Sequence, residues 1–248
     1  MTKGNLQRTS RTPPHQRRAT TLCRFSKLTI ALSFCALVYA QTAKALELRC
    51  TDTRVIVQSS DFGDAASVCE GAADAIRFLG DQGLVTNVRV EVAVVDKLPD
   101  IIGPNAYGGY IFAEGRVYLI SSEITARGSI FGLPFEQRLY RSLATHEVAH
   151  AIASFNFRTL TPSVEAQEYI AYVVMFAKLP AEYRDQLLGR FADQRFDNET
   201  QINDFVYLVE PIRFGILAYK HFMKLENKRD FLHQILSGRQ LAGANAPY

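Results

Sequence analysis

The chain has 248 residues, of which 48% are hydrophobic and 21% charged, and its 28 basic and 25 acidic side chains give a formal net charge of +3. Eight of the basic residues (Lys3, Arg8, Arg11, Arg17, Arg18, Arg24, Lys27 and Lys44) lie within positions 1–45, which contain no acid. The rest carries 20 basic against 25 acidic residues, net −5, which excludes a nucleic-acid footprint. In chain order, the basic stretch ends at Lys27 and leads into an apolar run over residues 28–40, followed by Ala43-Lys44-Ala45. That order predicts a secretory signal peptide over residues 1–45, with a small-residue cleavage site at its end. The apolar run is shorter than the roughly 20 residues that span a bilayer. An uncleaved signal-anchor is the alternative. Residues 46–248 then form a single exported domain, periplasmic or secreted, with no stable membrane insertion after signal removal.

Two of the four cysteines fall in that signal, leaving Cys50 and Cys69. In an oxidising compartment they predict a disulfide worth roughly 3 kcal/mol, the alternative being two buried thiols. Residues 54–57 read as a short strand. Residues 64–80 read as a helix, because Ala65, Val68, Cys69, Ala72, Ile76 and Leu79 recur at three and four. Residues 87–95 alternate Val88, Val90, Val92 against Arg89 and Glu91, the pattern of a half-buried strand. A loop follows over residues 99–109. Residues 110–112 and 116–120 then form a hairpin around Ala113-Glu114-Gly115. Pro134 is expected as an early residue of a helix running to Ala153. Thr161-Pro162 is expected to open the next helix, ending near Leu179-Pro180. Residues 181–192 and 201–236 supply further helix. Strands first and helices afterwards predict an α+β domain, with an N-terminal mixed or antiparallel sheet and a helical C-terminal half.

The chemistry concentrates in His146-Glu147-Val148-Ala149-His150. Histidines at i and i+4 share one helical face and can converge on a metal ion. Glu147 can hold and deprotonate a water that the metal acidifies. The same stripe also suits core histidines with satisfied hydrogen bonds. A catalytic zinc site needs a third protein ligand, and Glu168 stands eighteen residues after His150 on a stripe that is otherwise apolar or small. A carboxylate there is costly without a compensating cation. Glu165 is the competing ligand, but the first helical turn stabilises it without a metal.

The two segments His146–His150 and Glu168-Tyr169-Ile170-Ala171-Tyr172 resemble the HExxH zincin superfamily, and more narrowly the gluzincins, whose third ligand is a glutamate on a following helix. The Glu-x-x-Ala-x-Val pattern of Glu168, Ala171 and Val173 is similar to the aminopeptidase-like branch, with a spacing one residue shorter than that branch shows. Many gluzincins carry an acid four positions after the glutamate, where this chain has Tyr172. The resemblance implies a zincin-like fold, Zn2+ as cofactor, and a peptide or protein substrate. It also implies that Glu147 activates a zinc-bound water and passes its proton to the leaving amine. Tyr207, Tyr219 and His221 are candidates to stabilise the oxyanion. The bland readings are core tyrosines and a surface histidine, and His233 has only a bland one. If the zincin layout holds, residues 116–120 form an edge strand that binds an extended peptide by strand addition. The alternatives to a hydrolase are a catalytically inactive exported zincin-fold binding or assembly protein, and an accidental motif in an ordinary secreted domain. The oligomeric state is not legible.

Overall fold

A computed structural model of the chain describes residues 46–192 and 201–242. The expected signal peptide lies outside the described residues, all of which belong to one compact unit. The architecture is mixed α+β, with a five-stranded sheet first and several helices after it. Strands β1 (Leu46–Arg49), β2 (Val55–Ser59), β3 (Val90–Val95), β4 (Gly108–Ile111) and β5 (Arg116–Ile120) lie in the order β1-β2-β3-β5-β4. The two central pairings, β2 with β3 and β3 with β5, are parallel, and the two outer ones are antiparallel.

Helix α1 (Phe62–Asp81) makes the crossover between parallel β2 and β3. Asp61 caps it by accepting from the Asp64 amide at 2.8 Å. Its small residues Ala65, Ala72 and Ala75 are fully buried, so neighbouring backbones can approach closely. Cys50 and Cys69 form a disulfide with Cα atoms 5.2 Å apart, tying the turn after β1 to α1.

A short helix α2 (Ser122–Thr125) and a two-stranded ribbon, β6 (Ser129–Ile130) with β7 (Leu133–Pro134), precede α3 (Gln137–Ser154). Pro134 therefore belongs to the ribbon rather than to the helix, which starts three residues later. Helix α4 (Val164–Lys178) also opens later than expected. Ser163 rather than Thr161 is its cap, accepting from the Ala166 amide at 3.1 Å. Short helices α5 (Ala181–Arg190) and α6 (Asp204–Val209) lead to α7 (Pro211–Lys224), and α8 (Lys228–Leu236) follows. The expected loop over residues 99–109 contains a 3-10 turn (Asp100–Ile102) and ends inside β4.

A further expectation is overturned. Residues 116–120 are not an edge strand: β5 is flanked by β3 and β4, because the chain from β4 folds back antiparallel on its outer side. The edge is β4.

Candidate metal centre

Helices α3 and α4 run antiparallel, which brings His150 opposite Glu168 and His146 opposite Tyr172. The imidazole Nε2 atoms of His146 and His150 are 3.1 Å apart. Glu168 offers Oε2 at 3.4 Å from the first and Oε1 at 3.5 Å from the second. The three groups are the ones that can hold a metal ion among the described residues. A tetrahedral zinc site with ligand bonds of roughly 2.0–2.1 Å has ligand–ligand edges of about 3.3–3.4 Å. Each imidazole faces a different oxygen of Glu168, and one donor atom from each of the three residues lies within 4.8 Å of the other two, so the donor set can gather around a small divalent cation. Glu168 Oε2 is buried without a hydrogen-bond partner, the condition that a bound cation relieves.

The electrostatics run the same way. Burial acts to raise the Glu168 carboxyl, but the two imidazoles outweigh it and hold the group well below the usual carboxylate range. Burial acts to lower His150, and the facing Glu168 carboxylate reverses that and raises it. Glu147 is buried beside them. Burial raises its carboxyl, and the neighbouring imidazoles moderate the rise.

Packing on both sides fixes these side chains. A Cβ added at Gly108 would lie 2.9 Å from Glu147 Cγ and 2.8 Å from the Tyr118 carbonyl oxygen, so the Glu147 stem rests directly on the β4 backbone. The Tyr110 hydroxyl lies 3.1 Å from Ser154 Oγ at the far end of α3, tying the same strand face to the helix again. On the other side the Tyr172 ring meets the His146 ring at 4.5 Å between centroids. Tyr172 itself lies flat on Gly215 of α7, where a Cβ would come within 2.7 and 2.9 Å of Cγ and Cε1. His146 is thus oriented by packing, while its Nδ1 is buried with no hydrogen-bond partner.

The group opens into a cavity of about 990 Å³. Tyr207 lines it, and its phenol is raised first by burial and then by the Glu168 charge. Tyr219 and His221 do not reach it. Tyr219 stacks on Phe176 in the core at 5.6 Å. His221 turns to Tyr169, with Nδ1 2.8 Å from the hydroxyl, and is buried rather than on the surface. Glu165 is buried in the first turn of α4, outside both the cavity wall and the ligand group.

The expected hairpin places residues 110 and 111 in a strand, but it leaves Gly108 and Gly109 of β4 in the preceding loop. The adjacent Gly108 and Gly109 look like a loop, yet glycine inside a strand pattern also marks close approach of another group to the backbone. Ile120 donates its amide to the Tyr107 carbonyl at 2.9 Å. Because facing residues alternate in an antiparallel pair, Gly108 and Tyr110 then direct their backbone groups to the open edge.

A family profile described as a family of unknown function (DUF6639) matches residues 55–244. No curated protein and no solved structure matches the chain.

Proposed function

We propose that this chain, which belongs to the DUF6639 family, is an exported zinc-dependent metallopeptidase of gluzincin type. His146, His150 and Glu168 hold the zinc ion and Glu147 serves as general base. The observation that carries the reading is the convergence of two imidazoles and one carboxylate from two helices, the Nε2 atoms 3.1 Å apart and each facing its own Glu168 oxygen at 3.4 and 3.5 Å. Bound zinc supplies Lewis acidity, acidifying a water and polarising a carbonyl. Glu147, buried beside the three ligands, takes the proton of the attacking water and returns it to the leaving amine. Tyr207 lines the same cavity and is the candidate donor to the developing oxyanion, replacing the wider set that included Tyr219 and His221. The open edge of β4, rather than β5, receives an extended peptide backbone as an added strand. The disulfide is compatible with export, and no helix among the described residues is long and apolar enough to cross a membrane.

A second reading, a catalytically inactive exported binding or assembly protein on a zincin scaffold, is favoured by one feature. A metal-bound histidine usually donates its other ring N–H to an acceptor, and His146 Nδ1 has none.

Metal analysis of the purified chain without residues 1–45 is expected to find one zinc per molecule, and Glu168→Ala to lose it. Glu147→Gln is expected to keep the zinc while turnover of a broad peptide library falls by about 10²–10⁴. No retained zinc in the wild type overturns both readings. Zinc without turnover leaves the binding protein.

A further inference from the structure

The backbone is strained where the turn between β6 and β7 meets the cavity. Ile130 pairs with Leu133, so Phe131 and Gly132 form a two-residue hairpin loop. Both sit at positive φ, 55° and 70°, the signs of a type I′ turn. Such a turn favours Asn, Asp or Gly at its first position, and a bulky side chain there is an outlier. Anchoring the hairpin does not require it, because Ile130 and Leu133 are themselves buried in the core. Phe131 is half-buried, packs against the core and lines the cavity that holds His146 and Glu147. The strained tip is gripped by other parts of the chain. Arg190, in the last turn of α5, donates Nη1 to the Phe131 carbonyl at 2.8 Å and Nη2 to the Gly132 carbonyl at 3.1 Å. That fork needs a glycine at 132, where a Cβ would lie 2.9 Å from Nη1. On the strand before the turn, the Tyr107 hydroxyl donates to the Ser129 carbonyl at 2.5 Å.

From this clamp we infer that Phe131 is a substrate-contact residue, its ring presented to the bound chain by a backbone conformation that Arg190 maintains as a positioning residue. The inference rests on the zinc peptidase reading and adds a binding contact to it. Residues in sparsely populated backbone regions persist only where the surroundings over-determine them, and they cluster at ligand clamps. Here the surroundings are the Arg190 fork, the Tyr107 bond and the buried Ile130–Leu133 pair. An aromatic ring is an effective anchor for a bound chain, because it buries a large area with few rotatable bonds. Glycine or asparagine at position 131 would relax the turn and leave that part of the wall without its contact. The preference of the backbone and the need of the site are therefore opposed at this one residue.

Three measurements separate the ring from the backbone. In the zinc-free chain, Phe131→Gly is expected to melt about 2–8 °C above Phe131→Ala, since both lose the ring and only alanine keeps the cost of a positive φ. At an ordinary φ the order would be reversed. Ligand binding to the zinc-loaded chain is read by calorimetry with two hydroxamates that extend from the metal to opposite sides, acetyl-trialanine hydroxamate and the succinyl hydroxamate of dialanine. Phe131→Gly is expected to weaken at least one of them by about 10–100-fold, with zinc affinity unchanged. Phe131→Asn, which also suits the turn, takes its place in both measurements if the glycine variant does not fold. Arg190→Gln is expected to weaken the same probe in the wild type and to add nothing in the Phe131→Gly background, because it acts through the ring. Wild-type affinity of Phe131→Gly for both probes overturns the inference and leaves the peptidase reading standing, as does a glycine variant that melts below the alanine one. Equal loss from Arg190→Gln in both backgrounds overturns the role of Arg190. Failure of both hydroxamates to bind the zinc-loaded wild type overturns the inference and the peptidase reading together.

Discussion

Glu147 and Gly108 meet because one has a flexible stem and the other has no side chain at all. The Glu147 carboxylate reaches the ligand group from α3 only by passing against the β4 backbone. A Cβ at position 108 would press on Glu147 Cγ, on Leu119 Cδ2 and on the Tyr118 carbonyl oxygen, each closer than 3 Å. Gly108→Ala is therefore expected to keep zinc, since it touches no ligand, but to cut kcat of the zinc-loaded chain by about 10²-fold, the effect of moving a reacting group by about 1 Å. Gly109→Ala provides the control. Its Cβ meets only the Ile102 side chain, which can move away. Equal activity in both variants would deny Gly108 its positioning role.

At the scale of elements, the site depends on how α4 is held between α3 and α7. Tyr172 is the contact point: its ring lies on Gly215 of α7 and presses the His146 ring of α3. The neighbour of the His146 ring is thus an aromatic ring, so its orientation comes from packing rather than from a hydrogen bond. Gly215→Ala cannot be absorbed without moving Tyr172 or α7. It is expected to destabilise the fold by about 1–3 kcal/mol, the usual cost of overpacking a core, which lowers Tm by roughly 2–4 °C per kcal/mol in a domain of this size. It is also expected to weaken zinc binding by about 10-fold, as loss of an orienting neighbour does. Thermal melts and a competitive zinc titration check the two effects separately. Unchanged zinc affinity in a destabilised variant would reduce Tyr172 to a core residue.

Over the whole molecule, α4, α7 and α8 converge on His221. Tyr169 of α4 hydrogen-bonds its Nδ1, the Phe231 ring of α8 packs at 4.8 Å, and Lys224 lies on its own helix. Burial first, and then the Lys224 charge, push its pKa down to about 4. An unfolded histidine titrates near 6.5. Between these values the unfolded chain binds a proton that the folded chain refuses, so the neutral His221 contributes stability above about pH 6.5 that is lost as pH falls towards 4. The loss by pH 4.5 is of order 2–3 kcal/mol. Denaturant unfolding at pH 7 and 4.5 is expected to show that much extra acid sensitivity in the wild type over His221→Gln. Parallel pH dependence in the two proteins would remove His221 from the account.

What could be read in the sequence was local. The i and i+4 spacing of His146 and His150 puts both on one helical face whatever lies around them, and the alternation of Val88, Val90 and Val92 marks a strand by backbone geometry alone. The isolation of Glu168 on an apolar stripe identified it as the convergent carboxylate, because an unpaired buried charge is costly in any fold. The disulfide followed from compartment chemistry and two remaining cysteines. Helix starts were misread at Pro134 and Thr161 because proline and threonine favour several N-terminal contexts, and the neighbouring chain decides which one applies. The edge strand, the role of Gly108, the packing of Tyr172 and the removal of Tyr219 and His221 from the site were settled only by tertiary structure. Each depends on contacts between residues far apart in the chain, and no local periodicity encodes which side of β5 the returning strand will take or which face of α7 will turn towards the cavity.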